Sequence, residues 1–401
     1  MGSVKSSRNR NVKPHFVRKG ANMTCENDNV IHVSEPFMPD FDNFSTMLRQ
    51  IWSSKYVTNC GIFHQKLETE LADYLGVPYV SLTANATIGL TIALKALNLT
   101  GEVITSPYSF VATAHVIKNE KLLPVFCDIE KNGFNLDPDK IESLITEKTS
   151  ALMPVHCYGY PCDVEKIQAI ADRHQLKVLY DAAHAFGVNY RGQSLLRYGD
   201  LSVVSFHATK VYTTIEGGAI ISPDLETKTR VDRIRNFGIE SEVSIPILGM
   251  NGKMNELQAA FGLAQLAHID EILAKRARLA EVYQERLTHS PLIEVPVKSG
   301  EFTRNYSYFP VIVKGRTHRR DMIYNLLKSK NILVRRYFYP LLTDTQCYAD
   351  LPSASPIGLP NAHHVSERVL CLPLHPNLTT DEVHHICNII DLIPMSSFEA
   401  E

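Results

Sequence analysis

Lys210 and Asp181 stand 29 residues apart (181 to 210), in two segments whose residue types suit a single piece of chemistry. Lys210 closes the run Val203-Val-Ser-Phe-His-Ala-Thr-Lys210 and is soon followed by Glu216-Gly-Gly218; Asp181 opens Asp181-Ala-Ala-His-Ala-Phe-Gly187. A lysine moved away from water holds its proton less tightly, and the freed lone pair can hold an aldehyde as a Schiff base. A carboxylate facing a pyridine nitrogen keeps that nitrogen protonated, which turns the ring into an electron sink. Asp181 follows the apolar run Leu176-Lys-Val-Leu-Tyr180, which places it at the carboxyl end of a buried strand, where open α/β sheets bind ligands.

A third segment, Ser81-Leu-Thr-Ala-Asn-Ala-Thr-Ile88, puts small residues ahead of the apolar stretch Ile88 to Leu97, read as a buried helix. Backbone N–H groups and the positive end of the helix dipole meet a phosphate at such a start. Thr87 and Ser205 add hydroxyl donors. An Asp at a strand end, or a Gly-Gly pair, occurs in many α/β enzymes for structural reasons alone. The order and spacing of all three segments together indicate a pyridoxal phosphate site.

These elements belong to a larger pattern. Between about Phe37 and His268, strand-like runs at Glu102 to Thr105, Val125 to Ile129, Ala151 to Val155, Val178 to Asp181 and Leu201 to Phe206 alternate with helical stretches. Such alternation predicts a mostly parallel sheet covered by helices. A long helix near Ile269 to Leu287 leads into a smaller α+β region, with a strand expected at Tyr306 to Val313 and a helix at Arg319 to Lys330. The expected organisation is therefore a polar, basic arm over residues 1–29, a large cofactor-binding α/β domain over 30–268, and a small α+β domain over 269–401.

With 401 residues, 44% of them hydrophobic, the chain can bury one large core and a smaller second one. A net charge of −2 gives no reason to expect nucleic acid or an anionic membrane as a partner. The eight cysteines are scattered without a Cys-x-x-Cys motif and read as reduced thiols of a cytoplasmic protein. No apolar run approaches the length of a membrane span, and no secretory core is visible. The arm carries six Lys or Arg against two acids, and its lack of hydrophobic periodicity reads as a flexible segment. Its start, Met1-Gly-Ser-Val-Lys-Ser6, matches a short N-myristoylation pattern, and Met23 offers an alternative start.

The three segments, together with Thr105-Ser-Pro-Tyr-Ser-Phe-Val-Ala-Thr113, Pro154-Val-His-Cys-Tyr-Gly159, Arg235-Asn-Phe-Gly238 and Gly249-Met-Asn-Gly-Lys-Met-Asn-Glu-Leu-Gln-Ala-Ala260, resemble the DegT/StrS-type sugar aminotransferases from about Pro36 to Pro394. The resemblance implies a fold-type I architecture, with a mixed, mostly parallel seven-stranded sheet and a smaller α+β C-terminal domain. It implies pyridoxal 5′-phosphate, passing through pyridoxamine 5′-phosphate, and ping-pong transfer from L-glutamate, with release of 2-oxoglutarate, to a nucleotide-linked keto sugar. Phe206-His-Ala-Thr-Lys210 followed by Glu216-Gly-Gly218 resembles the members that aminate C-4, which makes dTDP-4-keto-6-deoxy-D-glucose the first substrate to expect. C-3 amination is the neighbouring reading, and a cofactor-binding sensor on the same fold the more distant one. Relatives that dehydrate C-3 carry histidine in place of the lysine, which Lys210 argues against.

Residue by residue, Lys210 resembles the Schiff-base lysine, Asp181 the partner of the pyridine nitrogen and His184 the neighbour of the ring hydroxyl. Phe110 resembles the residue lying against the ring, although periodicity alone reads it as core. Ala86, Thr87 and Ser205 resemble the phosphate contacts. Asn251 resembles the asparagine that reaches the cofactor phosphate of a neighbouring subunit, implying an obligate homodimer with shared sites. Lys253 resembles the basic residue that meets the substrate diphosphate, where many relatives have arginine. Asn59-Cys-Gly-Ile62 departs from a usual Asn-Asn-Gly-Pro.

Three further clusters have competing readings. His207 is either a cavity residue or a hydrogen-bonded core histidine. Val334-Arg-Arg-Tyr-Phe-Tyr-Pro340 is either a substrate-binding run, with Arg335 and Tyr339 as contacts, or a half-buried strand. His363-His364 and His384-His385 have no Cys or carboxylate at zinc-site spacing, and the second pair falls in a capped amphipathic helix near Thr380 to Ile390, so no metal is expected.

Overall fold

The computed structural model describes residues 30–296 and 300–393. The basic arm, its acylation pattern and Met23 lie outside the described residues. Seven strands form the large sheet: β1 (Tyr79–Thr83), β2 (Glu102–Thr105), β3 (Leu123–Phe126), β4 (Thr149–Met153), β5 (Lys177–Asp181), β8 (Leu201–Ser205) and β9 (Gly218–Ser222), with the hairpin β6 (Asn189–Tyr190) and β7 (Gln193–Ser194) set apart. Their order is β1-β9-β8-β5-β4-β2-β3. β2, β3, β4, β5 and β8 pair in parallel, while β9 runs antiparallel to both β1 and β8. One reversed strand among seven makes the sheet mixed but mostly parallel, as the resemblance implied.

The strands are apolar on both faces because helices cover both. Leu82, Ile104, Leu152, Val178, Tyr180, Val204 and Ile221 join one core; their alternates Val103, Ala151, Met153, Leu179, Val203 and Ile220 join another. This two-residue alternation is the pleat, read here without a polar face. The parallel polarity brings the carboxyl ends of β1, β2, β4, β5 and β8 to one edge. Thr83 and Ser205 both pair with Gly218, so the start of β9 meets them there.

The helix Ile269–Leu287 leads to a three-stranded sheet, β10 (Ile293–Glu294), β11 (Phe309–Val313) and β12 (Val369–Leu372), antiparallel with β11 in the middle. The expected strand at Tyr306 to Val313 starts three residues later, after a turn at Tyr306, whose φ is 48°. Ile31 bridges Ile332 and packs on this domain's core, so the chain enters along the small domain before crossing to the large one. The Val334 to Pro340 run forms no strand; its backbone pairing with the sheet is one isolated bridge, between Arg335 and Cys371.

Asp128 ties the two regions together. Its carboxylate accepts from the Ala362 and Asn361 N–H groups at 2.8 and 3.2 Å, at the start of the helix Pro360–Ser366, and from Lys140 Nζ at 2.6 Å. That side chain is fully buried, so removing it leaves donors and a cation without their partner. Asp128→Ala is expected to cost about 2–4 kcal/mol of unfolding free energy in a urea titration; a loss below about 1 kcal/mol would show that the tie is dispensable.

Candidate active site

A cavity of about 220 Å³ opens at the carboxyl edge of the large sheet. Asp181 at the end of β5, Ser205 at the end of β8, Ala86 and Thr87 at a helix start, and His184, Phe110 and Lys210 from the connecting loops all border it. Of the residues singled out in the sequence, the structure gathers these seven around one volume. His207 borders it as well and is exposed rather than core.

The phosphate cup is built by a cap. Asn85 accepts from the Ile88 N–H at 2.9 Å, starting the helix Ala86–Ala96 and leaving the first-turn N–H groups of Ala86 and Thr87 without partners inside the helix. Gly218 presses against this turn: a Cβ there would lie 2.8 Å from the Ala86 nitrogen and 3.0 Å from the Val204 carbonyl. Only glycine lets β9 start this close to the helix. The Ser205 hydroxyl, buried at the same edge, accepts from the His207 N–H at 3.4 Å.

Asp181 accepts from the Thr113 hydroxyl at 2.7 Å and from the Ala183 N–H at 3.2 Å. Burial nevertheless raises its carboxyl above the usual range, against the pull of these bonds. A buried carboxylate so placed needs a cation, and a protonated pyridine nitrogen is one. Lys210 is only partly exposed, and its amine is surrounded by protein; desolvation lowers it to about 8, against the opposing pull of Asp181. His184 Nδ1 accepts from the Tyr158 N–H at 3.1 Å, which assigns its proton to Nε2. Burial holds this imidazole well below its ordinary value, with Lys210 adding to the effect, so it stays neutral. Phe110, in the N-cap position of the helix Val111–Asn119, keeps 59% of its surface exposed at the cavity lip; it is not a core residue.

Sequence reasoning missed three members of the wall: Tyr308, Tyr337 and Phe338. Phe338 and the Tyr158 ring lie nearly parallel to His184, at 6.1 and 6.3 Å between centroids. In the Val334 to Pro340 run, the sequence points to Arg335 and Tyr339 instead. Arg335 is exposed and holds Cys371 through backbone bonds, while the Tyr339 ring sits 4.3 Å from the Arg320 guanidinium. Neither borders the cavity.

Asn251 and Lys253 do not border it either. The Met250 to Lys253 run lies beside the cup: the Ala84 N–H donates to the Gly252 carbonyl at 2.8 Å, and Lys253 bridges Thr83. Buried Arg235 anchors this run through its carbonyl, which accepts from the Gly252 N–H at 2.9 Å, and is itself held by Glu68 at 2.7 Å. Lys253 Nζ donates to Asn236 Oδ1 at 2.6 Å, and Asn251 is exposed. In the Asn59 to Ile62 departure, Ile62 takes the first position of the helix Ile62–Leu75, where proline costs no intrahelical bond, so the exchange leaves the helix start intact.

Residues 40–391 match the model of the DegT/DnrJ/EryC1/StrS aminotransferase family. The dTDP-4-amino-4,6-dideoxy-D-glucose transaminase of Escherichia coli is 48% identical over 91% of this chain and 99% of its own length. The crystal structure of DesI, analysed in the presence of its TDP-sugar product, superposes with a TM-score of 0.87 at 33% identity, covering 91% of this chain and 93% of that one. The structure of Spr1654 from Streptococcus pneumoniae, in its PLP form, superposes with a TM-score of 0.84 at 25% identity, over 90% of this chain and 98% of that one.

Proposed function

Because the chain belongs to the DegT/DnrJ/EryC1/StrS aminotransferase family, we propose that it moves the amino group of L-glutamate to C-4 of dTDP-4-keto-6-deoxy-D-glucose, giving dTDP-4-amino-4,6-dideoxy-D-glucose. The cofactor is pyridoxal 5′-phosphate. The observation that carries the reading is the meeting of an amine lowered to about 8 and a buried, hydrogen-bonded carboxylate across one cavity. The 48% identity to the Escherichia coli transaminase supports the choice of sugar.

When bound, the cofactor supplies an aldehyde for an amine and a ring that withdraws electrons from the carbon being deprotonated. The chain supplies the rest. Lys210 Nζ would hold the cofactor's aldehyde carbon, and when free of it the same amine would take the proton from the donor's α-carbon and return one to C-4 of the sugar. Asp181 holds the proton on the pyridine nitrogen, with Thr113 and Ala183 fixing its two oxygens. His184, with a neutral imidazole, would face the ring hydroxyl, Phe110 would cover the ring, and Ala86, Thr87 and Ser205 would receive the phosphate. Lys253, beside the cup, meets the substrate diphosphate in this reading, whereas Arg335 and Tyr339, which do not border the cavity, carry no part of it.

The working unit in this reading is a homodimer in which Asn251 reaches the neighbouring subunit's cofactor phosphate. Its exposure outside its own cavity supports this, as do Val243 and Leu248, which keep 97% and 83% of their surface exposed just before it in the chain. Among the described residues no helix is long and apolar enough to cross a membrane. The seven described cysteines form no disulfide, in keeping with the reduced thiols of a cytoplasmic setting.

The test is the absorbance of the purified protein with pyridoxal 5′-phosphate, before and after L-glutamate and then with the keto sugar, the product being resolved by NMR. A visible band that bleaches with glutamate and returns with the sugar, and an amino group on C-4, are expected. A band indifferent to glutamate would leave a binding protein, and amination at C-3 would overturn the regiochemistry.

A further inference from the structure

Among the described residues, Lys210 Nζ makes one side-chain hydrogen bond, and its partner comes from the other domain: the amine donates to the Tyr308 hydroxyl at 3.4 Å. The same amine lies 5.6 Å from the Tyr308 ring centre. Tyr308 immediately precedes β11, the middle strand of the small sheet, and is buried. Its ring is wedged edge-on against His184 at 5.1 Å and Tyr337 at 5.5 Å. Thr209, the neighbour of Lys210 in the chain, has its hydroxyl 2.9 Å from His207 Nδ1.

Resting on the transaminase reading, we propose that Tyr308 is the positioning residue for the Lys210 amine. An amine that must leave the cofactor, collect a proton from one carbon and deliver it to another spends part of each cycle unattached, on a stem with four rotatable carbons. Freed without a partner, it would sample rotamers that point away from the reacting carbon. The Tyr308 hydroxyl gives the free amine one place to rest, at the cavity wall and within reach of the same carbon. Burial raises the phenol's pKa above its ordinary value, so it stays protonated and keeps a donor as well as an acceptor for the amine. Catalytic contacts of this kind are commonly long before substrate binds and tighten afterwards.

Tyr308→Phe keeps the ring and removes the hydroxyl. In holoenzyme mixed with L-glutamate in a stopped-flow instrument, the band should bleach between about 10- and 100-fold more slowly than in wild type. The concentration of glutamate for half-maximal rate should stay within roughly twofold, because no donor contact is lost. With α-deuterated glutamate the isotope effect on bleaching should rise roughly twofold, since proton transfer becomes the slower step. A readout independent of turnover is the capture of added pyridoxal 5′-phosphate by the cofactor-free protein, expected to slow about tenfold because the amine is no longer aimed. Tyr308→Leu serves if the phenylalanine variant does not fold, with the same expectations. A variant with wild-type bleaching, isotope effect and capture overturns the proposal alone. A looser glutamate response with no change in isotope effect also overturns it, making Tyr308 a packing residue. A wild type that never bleaches with glutamate removes the transaminase reading and this proposal with it.

Discussion

Replacing Lys210 with alanine is expected to slow amine transfer from L-glutamate by about 10⁴-fold or more, because in the proposed reaction one nitrogen both holds the aldehyde and moves the proton. Single-turnover absorbance measures this: the variant should hold pyridoxal 5′-phosphate without the lysine-bound band and fail to bleach at the wild-type rate. A variant retaining a tenth of the wild-type rate would assign the proton transfer to another base. The fold should not suffer. Desolvation lowers the Lys210 amine from 10.5 to about 8, so between those values the folded, cofactor-free protein binds fewer protons than the unfolded chain. Its stability therefore rises with pH across that window, and the charged amine carries its desolvation cost below about 8. That cost is at most on the order of 3 kcal/mol. The alanine variant should lose this pH dependence and, near pH 7, unfold no more readily than wild-type cofactor-free protein. For the wild-type reaction, the step that needs a neutral Lys210 should accelerate as pH rises from 7 to 9, with a midpoint near 8.

Asp181→Asn is expected to cost about 10³-fold in the same half-reaction, with the cofactor still held by its phosphate and by Lys210. An amide cannot balance a protonated pyridine nitrogen. It also brings an NH₂ group to a position where Asp181 presents acceptors to the Thr113 hydroxyl and the Ala183 N–H, so one existing donor loses its partner whichever way the amide turns. Stopped-flow bleaching with glutamate is the measurement, and a loss of less than about tenfold would mean that the ring nitrogen is protonated by some other group.

The two residues with the largest expected effects were also the ones the sequence exposed most clearly, for a physical reason. Asp181 terminates a run of strand-forming apolar residues, and Lys210 sits between a strand and a Gly-Gly turn; polarity at such places needs an explanation that local pattern can supply. Ala86 and Thr87 are legible in the same way, as small residues after a capping Asn85. Tyr308, Tyr337 and Phe338 were not, because an aromatic residue beside a strand looks the same whether it packs into a core or walls a cavity. Phe110 is the converse case: its spacing suits a buried position, yet it is largely exposed, and only the family resemblance assigned it to the ring. Strand β9 escaped notice because Gly218-Ala-Ile-Ile-Ser222 begins with the glycine that reads as a turn. Its reversed direction follows from pairing between β1 and β8, partners distant in sequence.

The place of Tyr308 has a consequence for how the protein is made. Lys210, Asp181 and the helix start at Ala86 all precede residue 220, and their strands can pair once that stretch has been synthesised. Tyr308 is fixed by β11, whose pairing with β12 awaits residues 369–372, and the Asp128 carboxylate waits for the helix at Pro360. On the ribosome, the amine is therefore in place well before the wall that governs it. A chain arrested near residue 300 would present a nucleophilic lysine in an open cleft, able to condense with passing aldehydes and unable to choose among them. Control over that amine arrives with the last strand.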